Sequence, residues 1–164
     1  MDRFSTHLNL LSRIFDFLDI KTSLEFGMGE FSTSFLLNRT SDKVTSIEMQ
    51  HQQWFNKINA KFSTNDKWKG ILSLGANSVF GLDYEDRYDF ILVDGHGESR
   101  PECVNFSSKL SDVIVAHDTE ATDVYGWGRV NLPDHYCVVD KDNEPWTTVW
   151  TKNKDLYNFL NEKS

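Results

Sequence analysis

Apolar residues at Phe4, Leu8, Leu11, Phe15 and Leu18 recur in alternating steps of four and three. That period predicts an amphipathic helix over residues 1–20, with one face on a core. The pattern then shortens. Ser23–Phe26, Val44–Met49, Ile71–Leu74, Phe90–Val93 and Val113–Ala116 are brief apolar or β-branched runs that predict five strands. The run FILV at 90–93 is apolar throughout, as expected of a strand covered on both faces of a parallel sheet. Helices are predicted between them. One spans 31–37, and one spans 52–62 with Trp54, Phe55, Ile58 and Phe62 spaced for burial. A third opens at Ser99, where Ser99 and Glu102 have capping-box spacing and Pro101 lies in the first turn. Tyr136–Val139 and Thr147–Trp150 read as two more strands. Their connector, KDNEPW, is too short for a crossover helix, so this pair should be antiparallel. Asp155–Leu160 reads as a closing helix or a tail.

Strands alternating with helices and ending in a hairpin predict an α/β architecture. Repeats, low-complexity segments and linkers are absent from the sequence, so residues 1–164 are expected to form one domain, an N-terminal helix and a core over 22–151.

Composition narrows the function classes. A formal net charge of −8 and the lack of a Lys/Arg cluster argue against nucleic acid, whose binders neutralise phosphates with a basic face. The widest basic stretch, Lys61 to Lys69, is interrupted by Asp66. Cys103 and Cys137 form no CxxC pair, so neither a disulfide framework nor a zinc site is expected. Asp16 and Asp19 break the first apolar run, which is no signal peptide, and no run approaches the roughly 18 residues of a membrane span. A soluble, cytoplasmic chain is the expectation.

The chemistry begins at TSLEFGMGEFSTS, residues 22–34. In an α/β sheet, ligands lie beyond the carboxyl ends of the strands, and the first strand-to-helix turn is the usual nucleotide contact. Gly27 and Gly29 suit positive φ and close backbone approach. A P-loop needs a Lys followed by Ser or Thr after its second glycine, and none is present. A dinucleotide turn wants a third glycine where Ser32 stands, and Glu25 at the strand end would face a pyrophosphate. Glu25 favours a cationic ligand instead. Glu48 ends the second strand, 19 positions after Gly29, where a carboxylate can accept from both ribose hydroxyls. A ligand with ribose and positive charge but no pyrophosphate is S-adenosylmethionine.

On these residues the chain resembles the class I S-adenosylmethionine-dependent methyltransferases. LEFGMGEFSTS is similar to that family's E/D-x-G-x-G motif, TSIEM to its second-strand motif, and YDFILVDG to its fourth-strand motif. The resemblance runs from about Thr22 to about Thr151. It implies a Rossmann-like sandwich with a mostly parallel seven-stranded sheet and a terminal antiparallel hairpin. It also implies cofactor contacts from Glu25, Phe26, Gly27, Gly29, Ser32, Glu48, Met49, Ala76, Asn77 and Asp94. LGANS at 74–78 and VDG at 93–95 look most like the small-molecule, catechol-type O-methyltransferases. Trp54 and Phe55 read first as core, and as an adenine wall in the alternative.

Catalytic groups should follow the fourth and fifth strands, in VDGHGESR (93–100) and AHDTEATDVYGWGR (116–129). In the catechol-type enzymes magnesium is held by an Asp after strand four and an Asp-Asn pair after strand five. Asp94 matches the first and Asp118 stands within the second, but His117 departs from the pattern. Three readings stay open. Asp94 and Asp118, with or without Glu120, hold a divalent ion; or His117 or His96 is a metal-free general base; or Asp118 caps a turn over a packed His117. YGWG at 125–128 reads as an aromatic lid, or as a loop folded back on the core. Arg100 and Arg129 are candidates to hold an acidic acceptor, or are salt-bridged. DGHG is not the D/N-P-P-Y/F/W motif of amino-methylating DNA enzymes. The expected acceptor is a small molecule or saccharide oxygen. With no inserted cap, either the acceptor is small or a second copy or partner completes the pocket. The rival readings are a cofactor-binding subunit without activity and, less favoured by Glu25 and Ser32, an NAD-linked enzyme.

Overall fold

A computed structural model describes residues 6–162. The elements run α1 (Leu8–Phe17), β1 (Thr22–Phe26), α2 (Ser32–Arg39), β2 (Lys43–Glu48), α3 (Gln52–Phe62), β3 (Trp68–Leu72), β4 (Phe90–Val93), α4 (Arg100–Ser107), β5 (Val113–His117), α5 (Thr122–Tyr125), β6 (Tyr136–Asp140), β7 (Thr147–Thr151) and α6 (Lys154–Asn161). Seven strands form one sheet in the order β3-β2-β1-β4-β5-β7-β6. The first five are parallel; β7 pairs antiparallel with both β5 and β6. This is the predicted α/β sheet with its terminal hairpin.

Period-two alternation divides the core. Phe90, Leu92, Val113 and Val115 face a layer built by α1, α2, α3 and α6, with Leu11, Ile14, Leu36, Ile58 and Leu156 fully buried. Ile91, Val93, Ile114 and Ala116 face the opposite layer, where Cys103 and Val104 of α4 pack with Val79 and Trp127. The order reverses at β1 and β4, which are neighbours although β2 and β3 intervene in sequence. That switch point places the turns after β1 and β4 side by side. No helix among the described residues is long and apolar enough to cross a membrane.

Several boundaries differ from the sequence expectation. The buried face of α1 is Leu10, Leu11, Ile14 and Phe15, rotated from the expected stripe; Leu8 and Leu18 are only partly covered, and Phe4 lies outside the described residues. The third strand starts at Trp68 and stops at Leu72, because Lys69 and Gly70 pair with β2 at the sheet edge, where a polar side chain is tolerated; Leu74 is exposed. The capping box on α4 does not form. Ser99 Oγ donates to the His96 carbonyl (3.2 Å), and Glu102 pairs instead with Arg129 Nε (2.9 Å). The YGWG segment at 125–128, read as loop, begins on the short helix α5.

The last helix is capped by Asn153, whose Oδ1 accepts from the Asp155 and Leu156 amides, each at 3.0 Å. Asn153→Ala is expected to lower stability by about 1 kcal/mol in urea unfolding, since two end amides lose their acceptor.

Candidate active site

The turn after β1 is a closed hydrogen-bonded unit. The Gly27 amide donates to the Ile47 carbonyl (2.8 Å), and the Gly29 amide to Thr33 Oγ1 (3.1 Å). Thr33 Oγ1 donates in turn to Glu25 Oε2 (2.6 Å). Trp54 Nε1 donates to the Met28 carbonyl (2.7 Å), so this half-buried indole secures the glycine turn. Gly27 has φ +89°, and a Cβ there would lie 2.5 Å from the Asp94 carbonyl oxygen and the Gly95 amide. Its close approach is thus to the neighbouring turn after β4. Gly29 differs from expectation: its φ is not positive, and a Cβ would meet only Ser32 Oγ, at 2.8 Å.

Glu25 is completely buried. Burial raises its carboxyl to about 7, against the partial relief of the Ser32, Thr33 and Ser46 hydroxyls. Only Thr33 reaches hydrogen-bond geometry, and Oε1 is left with no partner. An unpartnered buried carboxylate oxygen is costly unless a ligand completes it. Glu48, at the end of β2, is held by one oxygen: Oε1 accepts from the Gln50 (2.8 Å) and His51 (2.9 Å) amides. Its orientation is therefore fixed by backbone. Phe26 and Met49 are buried in the core and reach the site through backbone alone; the Phe26 carbonyl accepts from the Asp94 amide (2.8 Å). Ser32 is buried beside Gly29. Ala76 is half-buried and Asn77 exposed, on the turn following β3.

The second cluster lies after β4 and β5. Asp94, His117 and Asp118 bring three donor atoms within 4.8 Å of one another. His117 is buried, with Nδ1 3.6 Å from Asp94 Oδ2 and 3.8 Å from Asp118 Oδ1, and Nε2 3.0 Å from Thr6 Oγ1. A proton on Nδ1 suits the two carboxylates it faces and leaves Nε2 to accept from Thr6. Burial alone would raise the Asp94 carboxyl, but His117 and the Arg100 guanidinium outweigh it and hold it below the usual carboxylate range. Asp118 adopts φ 59°, a left-handed conformation that Asp tolerates better than most residues. Glu120 stands apart, accepting from the Trp146 amide (2.7 Å). His96 lies on the turn after β4, with Nδ1 buried and unpartnered.

Two further residues complete the cluster. His7, from the turn before α1, packs edge-on against His117 with ring centroids 4.7 Å apart. It is buried, neither ring nitrogen has a partner, and burial with the adjacent His117 pushes it down to about 4, the Asp94 and Asp118 charges opposing. Arg100, in the first turn of α4, spans the two carboxylates: Nη2 lies 2.9 Å from Asp94 Oδ1 and Nη1 2.7 Å from Asp118 Oδ2. Of the two sequence readings of Arg100, the salt-bridged one is observed; His7 carried no sequence signal.

The YGWG segment is folded back. Trp127 is buried and donates to the Asp118 carbonyl (3.0 Å), and the Tyr125 ring lies under the Arg100 guanidinium (4.6 Å). Arg129 is exposed and paired with Glu102. Of the groups expected together, Asp94, His117 and Asp118 are in one cluster, and Glu25 and Glu48 end adjacent strands.

Magnesium fits this cluster poorly. One of the three donors is an imidazole, which magnesium accepts reluctantly, and one oxygen of each carboxylate is already committed to a guanidinium.

No protein-family model matches the chain, and no curated protein matches its sequence. Solved structures do. The O-methyltransferase from Bacillus cereus in complex with S-adenosylhomocysteine superposes with a TM-score of 0.70 at 18% identity, over 93% of this chain and 82% of that one. The O-methyltransferase TomG from Streptomyces achromogenes, involved in tomaymycin synthesis and bound to S-adenosylmethionine, gives 0.66 at 17% identity, over 89% and 78%. The S-adenosylhomocysteine-bound methyltransferase PaMTH1 of Podospora anserina gives 0.66 at 17%, over 93% and 81%. With its strand order and its terminal hairpin, the chain has the fold of the class I S-adenosylmethionine-dependent methyltransferases.

Proposed function

We propose that the chain is an S-adenosylmethionine-dependent methyltransferase acting on an oxygen of a small molecule or saccharide. The observation that carries this reading is Glu25: a fully buried carboxylate at the carboxyl end of β1, beside the glycine turn, with one oxygen unpartnered. It calls for a cation from the ligand. The amino and sulfonium groups of S-adenosylmethionine supply one, whereas a pyrophosphate would be repelled. The fixed Glu48 offers its second oxygen to ribose hydroxyls, as in other α/β nucleotide sites. The backbone at Phe26, Gly27, Gly29 and Met49, the Ser32 hydroxyl, and Ala76 and Asn77 complete the cofactor cradle in this reading. Asp94 closes it on the acceptor side. Leu74, 51% exposed on the turn after β3, is an apolar surface that a bound adenosine would cover.

Methyl transfer needs the acceptor oxygen in line with the sulfonium carbon and relieved of its proton. Proton acceptance falls to His117, which faces Asp94 and Asp118, or to His96 on the adjoining turn. Asp118 orients the imidazole. The domain is taken as 1–164, acting in the cytoplasm without nucleic acid or membrane, with a second copy as one way to complete the acceptor pocket.

Transfer of labelled methyl from S-adenosylmethionine to a panel of hydroxylated small molecules and saccharides tests the reaction. Glu48→Ala tests the cofactor site: its loss should weaken binding by about 1–3 kcal/mol, roughly five- to 150-fold, in calorimetric titration. A second reading is favoured by one observation: both His117 nitrogens are engaged within the protein. A chain that binds the cofactor tightly and methylates nothing in the panel would be a binding or partner subunit instead.

A further inference from the structure

Arg100 is 8% exposed, and all three of its guanidinium nitrogens donate within the protein. Nε donates to the Gly95 carbonyl (3.1 Å). Nη1 donates to the His117 carbonyl (3.0 Å) and to Asp118 Oδ2 (2.7 Å). Nη2 pairs with Asp94 Oδ1 (2.9 Å) and reaches the Asp94 carbonyl (3.4 Å). Four hydrogen bonds and one ion pair thus occupy the three nitrogens of the guanidinium, and the Tyr125 ring covers its face. The guanidinium is buried and committed to two carboxylates of the protein, which leaves it unsuited to an acidic acceptor molecule, the role considered for Arg100 from sequence. The carboxylate oxygens it leaves, Asp94 Oδ2 and Asp118 Oδ1, are the two that face His117 Nδ1.

We infer that Arg100 is the resident cation of the Asp94–His117–Asp118 cluster and that it keeps divalent ions out. Two carboxylates beside one buried guanidinium carry a single net negative charge. A divalent ion entering between Asp94, His117 and Asp118 would leave an excess of positive charge in a half-buried cluster and would strain the two ion pairs that Arg100 makes, one oxygen of each carboxylate. Arg100 acts through its partners: it fixes the two carboxylates, and they fix the imidazole. It is a positioning residue. The methyltransferase reading supplies only what the cluster faces. Metal binding is measured without cofactor or acceptor, so failure of that reading leaves this inference standing or falling on its own.

The test is Mn²⁺ titration of the full chain, followed by electron paramagnetic resonance, since Mn²⁺ accepts mixed oxygen and nitrogen donors. The wild type is expected to show no site that depends on Asp118. Arg100→Gln removes the charge and should create one, with affinity at least about tenfold tighter than any wild-type background, and Asp118→Asn in that variant should abolish it. A wild-type Mn²⁺ site lost in Asp118→Asn would overturn the inference, as would a folded Arg100→Gln that binds none. If Arg100→Gln does not fold, Arg100→Met serves, since it also removes the charge; an Asp118-dependent Mn²⁺ site is expected there, and none in the folded variant would contradict the inference. A residue that merely packed would leave metal binding unmoved.

Discussion

Gly27→Ala is expected to destabilise the chain by roughly 4 kcal/mol or more, a large share of the 5–15 kcal/mol typical of a domain. Two costs add. The backbone at φ +89° is one that L side chains rarely adopt. The new Cβ would also sit against the backbone of the Asp94–Gly95 turn, 2.5 Å from two of its atoms, and backbone held by neighbouring strands yields little. Gly29→Ala is the control. Its Cβ would meet only the Ser32 hydroxyl, which can rotate, so a loss of about 1 kcal/mol is expected. Urea unfolding of the two variants measures the difference. Equal losses would mean that the turns after β1 and β4 do not press together as described.

Glu25→Gln is expected to act in opposite directions on stability and on binding. The carboxyl sits at about 7 in the folded chain, against an ordinary value of 4.5. A raised folded value means the folded chain holds this proton more tightly. The resulting stability is fully present below about 4.5 and is lost as pH rises through 7. At pH 8 the buried carboxylate therefore costs about 2–3 kcal/mol, which Gln should recover. His7 works the other way. Its folded value is lowered from 6.5 to about 4, so the unfolded chain binds the extra proton between those values and stability rises with pH there. In the wild type the two slopes offset each other between about pH 4.5 and 6.5. Glu25→Gln should uncover the His7 slope, and thermal unfolding across pH 4–8 would show it. Binding tells the opposite story. A cationic ligand favours ionised Glu25, so wild-type affinity should fall as pH drops below 7 while the carboxyl takes up its proton. The Gln variant should bind at least about tenfold more weakly at pH 8 and lose most of that pH dependence. Unchanged affinity would remove Glu25 from the cofactor site.

The parts of the molecule legible in sequence were those written in local periodicity. FILV at 90–93 announced a doubly buried strand, and KDNEPW an antiparallel hairpin, because each signal is confined to a few adjacent residues. The edge strand was misplaced because Lys69 and Gly70 carry no apolar pattern, although they complete the β2 ladder. At the site, Glu25 and Glu48 were readable from their places at strand ends. For Arg100 a salt bridge was readable but its span of two carboxylates was not, and His7 was not readable at all. The role of Arg100 depends on one helix turn carrying its side chain across two strand ends, and that of His7 on the N-terminal segment crossing to β5. Both are tertiary facts, and a single sequence holds no local trace of them. Ser99 shows the same limit: its spacing matched a capping box, but the His96 carbonyl and Arg129 took the two partners.

The central claim is that the turn after β1 is built for a cationic adenosine ligand. Calorimetric titration of the wild type at pH 8 with S-adenosylmethionine, and separately with NAD, tests it most directly. One S-adenosylmethionine bound per chain, with NAD much weaker, is the expected result. Tighter binding of NAD, or no binding of S-adenosylmethionine, would contradict it.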